Sequence, residues 1–136
     1  LPYEEFLEHN LQSARPIGRE AFISIPVTTI DAQVAQLSLR PPFFIKLDTH
    51  GFEVPILAGA ARTLARTALL QVETYNFRLT GDSLRFHEMC GFLEERGFRP
   101  IDLCSPMHRA KDNAFWQVDL FFVPADRAEF ASGSVD

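Results

Sequence analysis

The sequence predicts an α/β fold built on a doubly wound, mostly parallel sheet with an antiparallel C-terminal strand. Apolar, strand-like segments alternate with amphipathic helical segments along most of the chain, a pattern typical of parallel strands joined by helical crossovers. The last two strand-like segments are connected by a polar loop without a helix, which indicates an antiparallel pair. In sheets of this kind ligands bind at the carboxyl ends of the strands.

The N-terminal half is predicted to contain two helices and two strands. Pro2 suits the first turn of an opening helix, and Ala21–Thr28 has the composition of a strand. Asp31 is expected to cap a short helix that Pro41-Pro42 terminates. The segment Phe43–Asp48 is the strongest strand, and its apolar character predicts that both of its faces are covered.

The C-terminal half continues the alternation and ends in two strands. Its predicted elements are a helix over Glu53–Arg66, a strand over Ala68–Glu73, a helix from Ser83 to Arg96 with Gly97 as its C-cap, and strands over Arg99–Cys104 and Phe115–Val123. We expect a single domain over residues 1–130 and a flexible, polar tail over residues 131–136.

Length and composition restrict the class of protein. The chain has 136 residues, of which 46% are hydrophobic, a globular composition with enough apolar surface for one core. A net charge of −5 without clustered Lys and Arg predicts no nucleic acid or anionic membrane as a partner. Two cysteines, Cys90 and Cys104, are too few for a disulfide framework and predict a reducing, cytoplasmic location.

Ionisable residues follow two neighbouring strands at the points where those strands end. Asp48 closes one predicted strand and Glu73 closes the next, while His50 lies in the turn after Asp48 and Glu53 opens the following helix. If the strands are parallel neighbours, these side chains meet at one rim. His50 is then the candidate general base, because its ordinary pKa lies near ~6.5.

Structural roles compete with each of these interpretations. A carboxylate after a strand often caps a turn, and Glu53 also fits a charge at a helix N-terminus. Asp48, His50 and Glu73 could ligate a cation, but no spaced Cys and His set accompanies them, so we predict no metal. No nucleophile motif and no glycine-rich phosphate loop occurs in the sequence.

The segment from Phe44 to Ala60 resembles the central signature of the FkbM-type methyltransferases. The family pattern is Ile-Lys-(Ile/Leu)-Asp-x-x-Gly-(aromatic or Ala)-Glu, followed by a Leu-x-Gly-Ala run. The positions that match it are Lys46, Asp48, Gly51, Glu53, Leu57, Gly59 and Ala60. The similarity continues collinearly over roughly residues 21 to 123, through the strand before Glu73 and the segment around Trp116. His50 departs from the pattern, because the family more often has Glu or Gln there.

The resemblance implies an S-adenosylmethionine-dependent enzyme with a partial class I, Rossmann-like methyltransferase fold. It implies O-methylation of a sugar or natural-product hydroxyl, with Asp48 and Glu73 positioning the small-molecule acceptor and His50 as the base. Thr49 and Gly51 are the expected backbone contacts to S-adenosylmethionine, since glycine permits close approach.

The family's glycine-rich cofactor loop and its acidic ribose-binding residue have no counterpart in this sequence. We therefore expect the chain to be the C-terminal part of a larger domain, with strands three to seven. An upstream segment or a second copy of the chain would then cover the open edge of strand Phe43–Asp48. The alternative is a non-catalytic or truncated α/β domain that binds a partner through that edge.

Overall fold

The computed structural model describes residues 26–81 and 83–133. The elements in chain order are α1 (Ile30–Gln36), β1 (Phe43–Leu47), α2 (Glu53–Ala58), α3 (Ala61–Leu64), β2 (Thr67–Tyr75), α4 (Phe86–Glu94), β3 (Phe98–His108), β4 (Phe115–Pro124) and a 3₁₀ turn (Ala128–Phe130). The predicted opening helix, most of the strand predicted over residues 21–28 and the last three residues of the tail lie outside the described residues.

The four strands form one mixed sheet in the order β1-β2-β4-β3. Only β1 and β2 pair in parallel, and β4 is antiparallel to both β2 and β3. The α/β class is confirmed, whereas the prediction of a mostly parallel sheet is not. The helical crossover does make β2 and β3 run in the same direction, but β4 folds back from β3 and inserts between them.

Strand β1 lies at one edge of the described sheet, where its only hydrogen-bonded neighbour is β2. Ile45 and Leu47 are buried, while Phe44 is 58% exposed. The prediction that both faces of this strand are covered is therefore wrong for the described part of the chain. An exposed apolar edge of this kind is a surface that can pair with another strand.

The core is a single cluster between one face of the sheet and the helices. Buried side chains from all four strands pack with those of the segment from α2 to α3 and of α4. The members are Ile45, Leu47, Leu57, Ala60, Leu64, Leu70, Val72, Met89, Leu93, Phe98, Val118, Leu120 and Phe122. Among the described residues, no helix has the length and apolar character needed to cross a bilayer.

The helix predicted over Glu53–Arg66 is divided into α2 and α3. The break lies at Gly59, where a Cβ atom would come within 3.0 Å of the Thr29 side chain. Gly59 also accepts a backbone hydrogen bond from Asp31. The start of α1 therefore packs directly against the break, and a long-range contact has overridden the local helical pattern.

Asp31 has a different role from the one predicted. Thr29, not Asp31, is the N-cap of α1, and its hydroxyl accepts a hydrogen bond from the backbone of Ala32. Asp31 instead accepts hydrogen bonds from the backbone amides of Arg62 and Thr63 and from the Thr63 hydroxyl, at 2.6–3.0 Å. It thus satisfies the first amide groups of α3, which lies 31 residues further along the chain.

Helix α4 begins later than predicted. Ser83 does not cap it, because its hydroxyl accepts hydrogen bonds from the amides of Leu79 and Thr80 and closes the preceding turn. The start of α4 is stabilised by Glu88, which accepts a hydrogen bond from the backbone of Arg85. After its end, Gly97 has φ +79°, as the predicted left-handed cap requires.

We predict that Asp31→Ala destabilises the fold by about 1–2 kcal/mol near neutral pH, because two amides of α3 lose their acceptor. The hydrogen bonds, first of all the one from the Thr63 hydroxyl, lower the pKa of Asp31 from 3.8 to about 2. A carboxyl group whose pKa is lowered by folding stabilises the folded state at pH values above its ordinary pKa. That stabilisation is lost as the pH falls through the pKa that the group has in the folded state.

Denaturant unfolding of both proteins across this pH range measures the effect. The difference in free energy of unfolding between wild type and variant should shrink as the pH falls from about 4 towards about 2. A difference that is independent of pH would show that the Asp31 charge does not contribute.

Candidate functional site

The parallel pairing of β1 and β2 brings the predicted carboxylates to one rim of the sheet. Leu47 at the end of β1 is in register with Val72, so Asp48 and Glu73 follow paired positions. One ligand-type atom from each of Asp48, His50 and Glu73 lies within 4.8 Å of the other two. The structure therefore brings together the three residues predicted as catalytic, while their roles stay a prediction.

Asp48 is held in its ionised form by a neighbouring lysine. Lys46 Nζ donates a hydrogen bond to Asp48 Oδ2 at 2.7 Å, and both side chains are partly exposed. This contact lowers the pKa of Asp48 and raises the pKa of Lys46. Asp48 is thus an anion at the surface of the rim.

Glu73 has the opposite electrostatic character. Its side chain is only 11% exposed, and burial raises the pKa of its carboxyl group, although a hydrogen bond from the Tyr75 hydroxyl opposes the shift. Across the sheet, Glu73 is paired with Asp119 on β4, which disfavours its ionisation further. Two carboxyl groups whose pKa values are shifted in opposite directions are typical of sites that separate acid and base roles.

His50 lies beside both of these carboxylates, which are also close to each other. Its Nε2 is 3.8 Å from Asp48 Oδ1, and its Nδ1 is 3.4 Å from Glu73 Oε1 and 2.7 Å from Tyr75 Oη. The backbone has φ +52°, which is left-handed and uncommon for histidine. Such strained residues are concentrated at functional sites, where surrounding contacts hold them in place.

The turn that carries His50 is stabilised by Glu53, a carboxylate that is only 5% exposed. Glu53 Oε1 accepts hydrogen bonds from the Thr49 hydroxyl at 2.9 Å and from the Gly51 amide at 3.1 Å. The two predicted cofactor contacts, Thr49 and Gly51, therefore each use a polar group within the turn, and their contact with a cofactor stays a prediction. Gly51 has φ +104°, and its missing side chain leaves room for Thr80 and Ser83.

Sequence reasoning missed two polar residues of this rim, Tyr75 and Asp119. Tyr75 follows Glu73 by two positions on β2, so the period of a strand could have placed both on one side. Asp119 could not be predicted from the period of a strand, because it lies beside Glu73 only as a result of the pairing of β4 with β2. Its Oδ1 is buried and has no hydrogen-bond partner among the described residues.

The contacts also bear on two other kinds of site, a cation site at the rim and a reactive cysteine. Asp48, His50 and Glu73 have the right atoms for a cation, but each carboxylate already accepts a hydrogen bond from Lys46 or Tyr75. Cys90 packs against the core, where burial raises the pKa of its thiol and disfavours the reactive thiolate. The rim is therefore best suited to proton transfer and to binding polar groups.

Comparison with known proteins identifies the family. The model of the methyltransferase FkbM domain matches residues 3–100, a stretch that includes the whole of the turn, β1 and β2. The chain belongs to this family, as its resemblance to the FkbM signature predicts. Searches of curated proteins and of solved structures returned no match.

We predict that Glu53→Ala destabilises the fold by about 1–3 kcal/mol, because the Thr49 hydroxyl and the Gly51 amide lose their shared acceptor. Glu53→Gln should cost less, since its Oε1 still accepts hydrogen bonds. Denaturant unfolding of the three proteins measures both effects. Equal losses for the two variants would contradict a role for this acceptor atom.

Proposed function

We propose that this chain is part of an S-adenosylmethionine-dependent methyltransferase that methylates a hydroxyl oxygen of a small molecule, such as a sugar or another natural product. Membership of the FkbM family supports methyl transfer. The observation that carries the proposal is the convergence of His50 with two carboxylates, Asp48 and Glu73, at the carboxyl rim of the sheet. We further propose that the enzyme acts in the cytoplasm.

His50 removes the proton of the acceptor hydroxyl in this proposal. A hydroxyl oxygen becomes a better nucleophile as its proton moves to a base, and a positioned base contributes roughly 10²–10⁴-fold to such a step. The imidazole gains a positive charge, which the ionised Asp48 stabilises from 3.8 Å. After methyl transfer the imidazolium releases its proton to water and the base is regenerated.

Glu73 and Asp48 orient the acceptor. Carboxylate oxygens accept hydrogen bonds from hydroxyl groups, and each of the two side chains lies near a different nitrogen of the imidazole. Holding the acceptor in one orientation removes much of the entropic cost of bringing two reactants together. The burial of Glu73 makes its position better defined than that of the more exposed Asp48.

The charge of the rim fits the cofactor at its cationic end. S-adenosylmethionine carries a positive sulfonium and an ammonium group, and the exposed Asp48 carboxylate suits either of them. When bound, the cofactor would supply the methyl group, and its sulfonium sulfur would leave as the neutral thioether of S-adenosylhomocysteine. Thr49 and Gly51 would contact it through groups that the Glu53 hydrogen bonds do not use.

The second candidate is a non-catalytic domain that binds a partner strand along β1. The position of β1 at the edge of the described sheet and the exposure of Phe44 favour it. Calorimetric titration with S-adenosylhomocysteine discriminates between the two functions. One-site binding that S-adenosylmethionine displaces supports the enzyme. No binding, either to this chain or to the chain extended by its upstream coding sequence, would contradict it.

We predict that Asp48→Asn and His50→Asn each lower turnover by about 10²-fold or more. The stability of Asp48→Asn should change by no more than about 1 kcal/mol, since the Lys46 pair is exposed. Asparagine is chosen for His50 because it tolerates positive φ. Formation of S-adenosylhomocysteine measures turnover, and thermal unfolding measures stability.

His87→Asn is the matched control, because His87 is exposed on α4 and outside the rim. Its turnover should equal that of wild type. If turnover and stability fall in proportion in the Asp48 and His50 variants, their catalytic assignment is wrong.

A further inference from the structure

Tyr75 connects His50 to Glu73 through a short chain of hydrogen bonds. The phenol Oη lies 2.7 Å from His50 Nδ1, and the same hydroxyl donates to Glu73 Oε1. Neither the FkbM signature nor the predicted site includes this tyrosine. Its hydroxyl carries a single proton, so the direction of one hydrogen bond determines the direction of the other.

The hydrogen bonds of the Tyr75 hydroxyl determine which nitrogen of the His50 imidazole carries the proton. When Glu73 is ionised its carboxylate can only accept, so the phenol proton points at Glu73 and the phenol oxygen accepts from His50 Nδ1. Glu73 Oε1, at 3.4 Å from Nδ1, is a second acceptor facing the same nitrogen. In neutral His50 the proton therefore lies on Nδ1, and Nε2 carries the lone pair on the side of Asp48.

We propose that Tyr75 is a positioning residue that fixes the Nδ1–H tautomer of His50, so that Nε2 is the atom that accepts the proton of the substrate hydroxyl. The catalytic consequence rests on the proposed function, whereas the tautomer does not. The proton balance is simple. The hydroxyl proton moves to Nε2, the proton on Nδ1 remains bonded to the Tyr75 oxygen, and Asp48 faces the nitrogen that becomes charged.

The surroundings of Tyr75 suit this role, because they hold the phenol in one position. Its side chain is only 4% exposed, and its ring makes an edge contact with Trp116 at a centroid distance of 5.9 Å. The next residue, Asn76, donates a backbone hydrogen bond to Trp116 at 2.8 Å, and the Thr74 hydroxyl donates to the Val118 carbonyl. Both flanking residues thus attach the end of β2 to β4.

Nitrogen NMR of the histidine side chains tests the tautomer directly. Long-range proton–nitrogen spectra, which distinguish the two neutral tautomers from the imidazolium, are recorded at slightly alkaline pH, and His50→Asn identifies the signals of His50. We expect Nδ1 to be the protonated nitrogen in wild type. Tyr75→Phe keeps the ring but removes the hydroxyl. In this variant the proton should shift from Nδ1 towards Nε2, which is the tautomer that free histidine prefers in water.

His87 and His108 provide internal controls, because the substitution should leave their signals unchanged. Protonation of Nε2 in wild-type His50 would overturn the proposal, as would an unchanged tautomer in folded Tyr75→Phe. Glu73→Ala is a second variant that retains the phenol but removes the acceptor that orients its proton. It should shift the tautomer in the same direction, and an unchanged tautomer would contradict the hydrogen-bond chain.

The same variants separate this proposal from the proposed function. If methyl transfer is found, Tyr75→Phe should lower kcat in proportion to the loss of the Nδ1–H tautomer, with little change in the KM for the acceptor. A kcat that does not follow the tautomer would overturn the positioning role. If the tautomers behave as expected but no methyl transfer occurs with any hydroxyl acceptor, the proposed function fails and the assignment of the imidazole stands.

Discussion

The parallel register between β1 and β2 is the constraint on which the candidate site depends. Because both strands run in the same direction, the residues that follow Leu47 and Val72 leave the sheet at one edge. A shift of one residue would turn Glu73 towards the other face of the sheet. The register is well specified, because Leu47 and Val72 are both buried in the core and an alternative pairing would expose them. The position of the catalytic candidates is thus a consequence of core packing.

Local sequence signals predicted the positions of most elements, and long-range contacts account for the errors. The left-handed backbone at Gly97 is a local property and was predicted correctly, although the helix ends two residues earlier than predicted and its C-cap is Glu95. The break at Gly59 and the use of Asp31 as a cap for α3 both arise from contact between segments distant in sequence. The same holds for β4, since nothing in Phe115–Pro124 itself specifies insertion between β2 and β3. Topology therefore could not be read from the alternation of helices and strands alone.

The candidate site shows the same division between local and long-range information. Convergence of Asp48 and Glu73 followed from one assumption, that their strands are parallel neighbours, and this assumption was correct. The structural role of Glu53 was less evident, because its partners lie in a turn whose shape depends on left-handed backbone at His50 and Gly51. The sequence indicated which ionisable residues meet, but the direction of each hydrogen bond required the folded geometry.

The rim brings three carboxyl groups, those of Asp48, Glu73 and Asp119, close to one lysine, Lys46. Asp48 has a fully charged partner in Lys46, whereas Glu73 has only a neutral phenol donor and lies opposite Asp119. Each of the three carboxylates on this rim gains from additional positive charge nearby, and the lysine supplies only one such charge. In the reaction that we propose, the proton that moves to His50 brings a positive charge within 3.8 Å of Asp48 and 3.4 Å of Glu73, and both carboxylates attract it. In the mechanism that we propose, the carboxylates that disfavour each other's ionisation therefore also stabilise the imidazolium formed when the acceptor hydroxyl loses its proton.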